Sequence, residues 1–292
     1  MILSQLFWLL RPLLVLLAAL FYLLGAGIAD YLGIDFVQDA FWLGLLWTIL
    51  LQLTVLLLAR AFARQALFAG APTSPAEQAR LPMRLALAAG VLLISIAGTT
   101  VLMQQRSVIT APIYFIQIAA VLLVLGYSVP PLRLNQTGFG ELLLAIVMAV
   151  IPPAHAFLLQ AGDYHRLLSL VTFPLLLLSL AWLLALSFQS FATDQKYDRR
   201  TLLRMLGWER AVPLHHALIL SSYGLWLMGP LVGISLRILW PAFLGAPFAI
   251  LQILVMQSIA AGGRPNWMLL TATSTAVVGL TVYFLTVSFW LG

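Results

Sequence analysis

Cysteine is absent from this chain of 292 residues. Its absence excludes disulfide bonds, thiolate metal sites and a cysteine nucleophile. Charged residues are scarce too, at 8% of the chain against 63% hydrophobic residues, and the mean hydropathy is +1.05. So few charges cannot solvate the surface of a water-soluble protein, and the composition therefore predicts an integral membrane protein.

Long polar segments are also missing, which leaves no room for a separate soluble domain. The first apolar run has no charged segment ahead of it and is too long for a signal peptide, so we expect a retained first span. About 20 apolar residues cross a bilayer, and nine such stretches occur, at 12–33, 40–63, 83–103, 109–128, 138–160, 166–190, 211–229, 236–259 and 267–290. The prediction is an all-α, multi-pass protein of nine transmembrane helices that form a single domain over residues 1–292.

The few basic residues are unevenly distributed between the two ends of the predicted helices. Twelve of the 15 lie at one set of ends, and only Arg106, Arg166 and Arg237 lie at the other. Cytoplasmic loops carry the excess of Lys and Arg, so we expect a cytoplasmic N-terminus and an extracytoplasmic C-terminus, in a membrane of the bacterial inner-membrane kind. The same rule accounts for the net charge of +6, which gives no reason to expect a nucleic-acid partner.

The most polar stretch is 194–210, DQKYDRRTLLRMLGWER, which holds eight charged residues. Asp194 and Asp198 are four positions apart, so they share one face if the preceding helix continues through them. Two carboxylates beside several cations are a plausible place to hold a divalent metal and a phosphorylated substrate. A basic cytoplasmic loop, as membrane proteins usually have, explains the same residues without any ligand.

Two further basic residues, Arg60 and Arg64, lie near the cytoplasmic end of the second predicted helix. Arg64 is close enough to the end for its side chain to reach the lipid headgroups. Arg60 lies nearer the apolar span, where a cation is costly and tends to face a cavity or a partner. Arg60 is therefore a candidate site residue.

The turn between the fourth and fifth predicted helices reads GYSVPPLRLNQTGFGE. Its two prolines end the fourth helix, and Gly138 and Gly140 permit a tight return. Glu141 then falls in the first turn of the fifth helix, where a carboxylate suits the helix dipole. A structural turn accounts for much of this string, though not for all of it.

The string YSVPPLRL, followed by GFGE, resembles the turn after the fourth helix in the UbiA superfamily of intramembrane prenyltransferases, which typically reads Tyr-[Ser/Thr]-x-Pro-Pro-Leu-[Arg/Lys]-Leu and then Gly-x-Gly-Glu. The residues from Ser190 to Leu202 are similar to the second aspartate-rich motif of that family, and Arg11 with Pro12 matches its usual start. The resemblance implies nine helices around a central, lipid-accessible cavity that opens to the cytoplasm.

The chain departs from the family pattern at the second helix, where family members carry Asn-x-x-x-Asp-x-x-x-Asp to hold magnesium against a prenyl diphosphate. The corresponding positions here are Leu56, Ala59, Arg60 and Ala63. The second motif keeps both aspartates but has Ser190 and Phe191 in place of two asparagines, and a short stretch with a Gly-Lys pair is missing. Half of the expected metal site is therefore absent.

The resemblance implies transfer of a prenyl chain from its diphosphate to a ring-bearing acceptor of the quinone-precursor, haem or chlorophyll type. Asp194 and Asp198 would be the catalytic and metal-binding residues, with Mg²⁺ as the cofactor of an active enzyme and no cofactor otherwise. Arg60 could replace the missing metal because guanidinium binds phosphate well. The substrate-binding residues implied are Arg60, Lys196, Arg199, Arg200, Tyr127 and Arg133.

The alternative is a catalytically degenerate homologue that binds an isoprenoid, quinone or pigment, or that serves as a structural subunit of a membrane complex. The loss of the first motif favours this alternative. Both readings expect membrane lipid around the protein. A small-solute transporter is disfavoured, because the nine predicted helices show no repeat.

Overall fold

The computed structural model describes residues 12–63 and 75–292. Arg11, Arg64 and the loop around Ser74 lie outside the described residues. Within them the protein is helical, without strands, as the sequence predicts. The helices are α1 (Pro12–Tyr31), α2 (Gln38–Ala61), α3 (Pro75–Gln105), α4 (Ala111–Ser128), α5 (Gly140–Ala149), α6 (Ile151–Ala161), α7 (Arg166–Lys196), α8 (Leu202–Leu206), α9 (Trp208–Leu227), α10 (Leu236–Leu239), α11 (Ala246–Ala260) and α12 (Trp267–Leu291).

Eight helical stretches in the described part are long and apolar enough to cross a membrane. The predicted span at 211–229 exists as helix α9, but it is not among the eight. Glu209 and Arg210 at its start, and the pair His215 and His216 within it, lower the hydropathy of this 20-residue helix. The membrane-protein class is thus supported, whereas the count of nine spans is not confirmed.

Two of the predicted spans are interrupted. The fifth is divided into α5 and α6, and Pro152 and Pro153 fall in the first turn of α6, where a missing backbone N–H removes no helical hydrogen bond. The eighth begins with the short helix α10 and a 3₁₀ segment, Trp240–Gly245, before α11. Prolines and glycines at these junctions explain why continuous apolar runs do not become continuous helices.

The long helices pack as a bundle in which α1 lies against α6 and α12, α2 against α3, and α7 against α9. Large side chains such as Trp47, Trp182 and Phe157 fill the interior. Other large apolar side chains, such as Phe115 and Ile94, are exposed on the outside, which is the surface that lipid would cover.

The loops after α4 and after α7 meet at one end of the bundle. The backbone N–H of Gly138 donates to the carbonyl oxygen of Arg200 at 3.0 Å, and Thr137 pairs with Arg200 in a single parallel bridge. The two polar segments that the sequence singles out are therefore in direct contact, and this contact positions the candidate site.

Candidate functional site

A cavity of about 240 Å³ lies between α1, α2, α5, α7 and the α4–α5 loop. Along α2 its lining changes from Val55 and Leu56 to Arg60 as the helix approaches its C-terminal end. Leu14 and Leu144 add apolar surface. The cavity therefore offers an apolar wall and a polar end, the combination that a ligand with a hydrocarbon chain and a charged head requires.

Arg60 and Asp194 both line this cavity. They come from helices α2 and α7, which are far apart in the sequence. The second predicted helix and the aspartate-bearing segment therefore border the same cavity. The side chain of Asp194 is joined to Arg199, whose guanidinium lies 3.6 Å from one carboxylate oxygen.

Asp194 is a buried carboxylate, only 4% exposed. The hydroxyl of Ser190, one turn earlier on α7, donates to Oδ2 at 2.6 Å. Arg199 faces Oδ1. A buried charge needs such partners, and here one partner is a residue that replaces asparagine of the family pattern.

Asp198 does not share a helix face with Asp194, because the condition on which the sequence predicted it, a helix that continues through both residues, is not met. Helix α7 ends at Lys196, and Asp198 takes a left-handed backbone conformation with φ of +51°, which aspartate tolerates better than most residues. Its side chain is 71% exposed and accepts from both terminal nitrogens of Arg204 at 3.3 Å. It lines a neighbouring groove beside Arg200.

The other predicted substrate-binding residues are divided between the cavity and its surroundings. Tyr127 and Arg199 line the cavity, whereas Arg200 lines the neighbouring groove. Lys196 is exposed, with its ammonium 5.5 Å from the centre of the Tyr197 ring. Arg133 occupies a left-handed turn position, with φ of +42°, and is absent from the described lining of both spaces.

Sequence reasoning missed several cavity residues, of which Asn135 is the most informative. Its amide oxygen Oδ1 is buried and has no hydrogen-bond partner among the described residues. Gln136, Thr193 and Tyr197 also line the cavity. The available signal was the polar pair Asn135-Gln136, which directly follows the string YSVPPLRL. The direction in which these two side chains point depends on the conformation of the turn, which sequence spacing does not reveal.

Glu141 connects the two loops that border the cavity. Its carboxylate accepts from the hydroxyl of Ser187 on α7 at 3.0 Å and from the backbone N–H of Leu202 at 3.2 Å. Arg204 donates to the carbonyl oxygen of Arg199 at 2.8 Å. These bonds fix the short segment that carries Arg199 over the cavity.

Among its described lining residues, the cavity offers one carboxylate, that of Asp194. No group of three or more His, Asp or Glu side chains that could hold a metal occurs in the described part of the chain. Magnesium bound with a phosphate needs one or two carboxylates, the remaining ligands being phosphate oxygens and water. Asp194 could supply a carboxylate to one such ion, whereas α2 offers Arg60 where a second ion would need carboxylates.

Solved structures of a UbiA homologue from Archaeoglobus fulgidus share this fold. The structure bound to GPP and Mg²⁺ has a TM-score of 0.65 and 15% sequence identity, over 97% of this chain and 98% of that one. The structure bound to DMAPP and Mg²⁺ has a TM-score of 0.64 and 16% identity over the same shares. No protein-family model matches the sequence, and no curated protein matches it either. The fold that the motifs implied is confirmed.

Proposed function

We propose that this protein, which has the fold of the UbiA homologues, binds a prenyl diphosphate in its cavity and transfers the prenyl chain to a ring-bearing acceptor. The observation that carries the proposal is the cavity lining, in which Arg60, Arg199 and Asp194 face a space that also has an apolar wall. The apolar wall suits an isoprenoid chain, and guanidinium groups suit a diphosphate. The homologue with this fold was solved with prenyl diphosphates and Mg²⁺.

Arg60 and Arg199 are the proposed diphosphate-binding residues. Breaking the bond between C1 of the chain and the diphosphate oxygen builds negative charge on the leaving group, and fixed cations stabilise that charge. Arg60 supplies on α2 the positive charge that a metal would otherwise bring. Tyr127 borders the same space, where its ring can pack against the chain.

The remaining basic residues lie outside the cavity, and we assign them a different task. Lys196 and Arg133, with Arg200 in the neighbouring groove, form a positive rim that attracts an anionic headgroup toward the cavity. Because these side chains are at least partly exposed, water and salt weaken each of their interactions. Their individual contributions to binding should be small.

Asp194 is the proposed magnesium ligand inside the cavity. Asp198 can join it only after its bond with Arg204 opens, which makes Asp198 the weaker ligand. A bound Mg²⁺ would neutralise charge on the diphosphate. Ser190 holds the carboxylate of Asp194 in place with its hydroxyl, and Arg199 is positioned to contact the same anion.

A catalytically degenerate homologue is the second candidate. It is favoured by the absence of carboxylates at Leu56, Ala59, Arg60 and Ala63 and by the pairing of Asp194 with Arg199. Such a protein would bind an isoprenoid, quinone or pigment without transferring a chain, alone or within a membrane complex.

One experiment separates the two. The purified protein is incubated with labelled geranylgeranyl diphosphate and a panel of ring acceptors, with and without Mg²⁺, and both binding and product are measured. Product that is lost in Asp194→Asn but kept in Glu209→Gln, an exposed carboxylate outside the cavity, supports the transferase. Binding without product supports the degenerate homologue, and no binding of the diphosphate refutes the proposal.

A further inference from the structure

We infer that Arg204 is a positioning residue for the bound anion and that it acts through Arg199. Arg204 is not among the described residues that line the cavity, whereas Arg199 is. The guanidinium of Arg204 holds the turn after α7, and this turn carries Arg199 to the cavity. The inference rests on the proposed function, because it explains how one of the two proposed diphosphate-binding residues is held in place.

The turn that carries Arg199 lies between two helices and belongs to neither. Helix α7 ends at Lys196, and α8 begins at Leu202. Between them Asp198 has a left-handed backbone with φ of +51°. A residue other than glycine keeps this conformation where surrounding contacts hold it. The position of Arg199 therefore depends on bonds from outside the turn.

Arg204 binds three points of this turn with one guanidinium. Its Nη1 donates to the carbonyl oxygen of Arg199 at 2.8 Å and to that of Asp194 at 3.2 Å. Nη1 and Nη2 each donate to Oδ1 of Asp198 at 3.3 Å. The carbonyl of Asp194 lies in the last turn of α7, where a cation also suits the negative end of the helix dipole. A guanidinium can reach these acceptors from two nitrogens at once, whereas the ammonium of lysine has one.

Arg204 is itself anchored at the start of α8. Its backbone N–H donates to the hydroxyl of Thr201, the residue that caps α8, at 3.3 Å. The side chain of Arg204 is 25% exposed, against 47% for that of Arg199, so water competes less with the bonds of Arg204.

The bonds to Arg199 hold its backbone and leave its side chain free to change partner. The N–H of Arg199 donates to the carbonyl oxygen of Asp194 at 2.8 Å, and its own carbonyl oxygen accepts from Arg204. Its guanidinium, by contrast, lies 3.6 Å from Oδ1 of Asp194, which is longer than a charge-assisted hydrogen bond. A fixed backbone with a loosely paired side chain is what a residue that turns toward an incoming anion requires.

Two simpler roles for Arg204 give different results in the test. If Arg204 attracted the anion by its charge alone, lysine would replace it. If it only stabilised the fold, its loss would lower the unfolding temperature and leave the affinity of the folded protein unchanged.

The test is a double-mutant cycle on the detergent-purified full chain. The readout is the equilibrium affinity for an unreactive thiolo analogue of geranyl diphosphate, measured with EDTA present. Arg199→Ala should lower this affinity by at least about tenfold, the size of one lost charge-assisted bond, and Arg204→Ala should lower it by nearly the same factor. The double variant should match Arg199→Ala to within about twofold, because a positioning residue has no effect once the residue that it positions is gone.

Arg204→Lys should resemble Arg204→Ala, because ammonium keeps the charge and loses the fork. Arg210→Ala removes an exposed arginine near the start of α9 and should leave the affinity unchanged. Unfolding temperatures are measured for every variant, so that affinities are compared among folded proteins. If Arg204→Ala does not fold, the same cycle is completed with Arg204→Lys.

Wild-type affinity in Arg204→Ala or in Arg204→Lys would overturn the inference. An equal further loss when Arg204→Ala is added to Arg199→Ala would also overturn it, since Arg204 would then act without Arg199. In each of these cases, binding of the analogue by the wild-type protein would show that the proposed function still stands. If the wild-type protein does not bind the analogue with EDTA or with Mg²⁺, the proposed function fails together with the inference.

Discussion

Arg60 on α2 adds a guanidinium to the lining of the cavity. A guanidinium carries its own positive charge, so under the proposed function Arg60 would attract a diphosphate without a metal on α2. Opposite it, Asp194 is partly neutralised by Arg199. The two sides of the cavity are therefore unequal, with a cation at one side and a single potential ion site at the other.

Arg60→Ala should weaken binding of geranylgeranyl diphosphate in the absence of metal by about 10- to 100-fold, the worth of one or two charge-assisted hydrogen bonds. Arg60→Lys should give an intermediate loss, because ammonium keeps the charge but not the planar fork. Arg210→Ala is the control, since Arg210 is exposed near the start of α9. Equal affinities in the Arg60 and Arg210 variants, measured by equilibrium binding, would contradict the assignment.

The two aspartates should respond differently to replacement by asparagine. Asp194→Asn should remove the increase in diphosphate affinity that Mg²⁺ produces, because the cavity loses its carboxylate. Asp198→Asn should retain part of that increase, because Asp198 is 71% exposed and bonded to Arg204. The measurement is the diphosphate affinity of each variant with and without Mg²⁺. A larger loss of the Mg²⁺ effect in Asp198→Asn than in Asp194→Asn would show that the loop rearranges when ligand binds.

Among the structural elements, the α4–α5 loop and the segment between α7 and α8 act as one unit. Glu141 joins the start of α5 to Ser187 and Leu202, while Gly138 contacts Arg200 through the backbone. Neither loop lies on a continuous helix at these points, so each depends on the other for a fixed conformation.

Glu141→Ala should leave the backbone N–H of Leu202 without its acceptor, at about 1–3 kcal/mol for a buried donor. The hydroxyl of Ser187 keeps the carbonyl oxygen of Leu183 as an acceptor at 3.1 Å. The expected result is a lower unfolding temperature together with weaker diphosphate binding, because Arg199 lies in the segment that the carboxylate holds. Glu209→Ala serves as the control. A normal unfolding temperature in Glu141→Ala would show that the bonds are dispensable.

Gly138→Ala tests the same contact between the loops by a change in the α4–α5 loop. Gly138 has φ of +89°, which a Cβ disfavours, and the added carbon would overlap the sulfur of Met205. We expect loss of thermal stability and of diphosphate affinity. Gly90→Ala in α3, where nothing lies within 4 Å of the added carbon, should be neutral or slightly stabilising. Equal stability of the two variants would be evidence against the contact.

At the scale of the whole molecule, helix α9 decides the topology. If α9 crosses the membrane, the chain has nine spans and its ends lie on opposite sides. If it does not, the eight apolar stretches place both ends on one side. The predominance of basic residues at one set of helix ends favours nine.

The chain has no cysteine, so its topology can be measured by labelling introduced cysteines without background from native ones. Single-cysteine variants Asp35→Cys, Arg264→Cys and Gly292→Cys are treated in intact cells with a membrane-impermeant maleimide. With nine spans, positions 35 and 292 should be labelled from outside and 264 only after permeabilisation. The opposite pattern at 264 and 292 would show that α9 does not cross.

Much of the fold follows from local properties of the sequence. Apolar runs of about 20 residues and scarce charge determine helices in a bilayer, because a helix satisfies every backbone hydrogen bond within the segment itself. The string from Tyr127 to Glu141 and the loop from Ser190 to Leu202 indicated two of the segments that line the cavity. These signals can be recognised in the sequence because each depends on neighbouring residues only.

Only the tertiary structure decided which side chains share the cavity. Asp198 leaves the face of Asp194 because α7 ends at Lys196 and the chain turns through a left-handed residue, an outcome that a spacing of four cannot reveal. Asn135 lines the cavity from a turn against which α5 packs closely at Gly140. Arg60 lines the same cavity because of the way α2 packs in the bundle. Each of these placements depends on contacts between segments that are distant in the sequence. The free energy of those contacts arises only when the bundle is packed, so no local stretch of sequence reveals it.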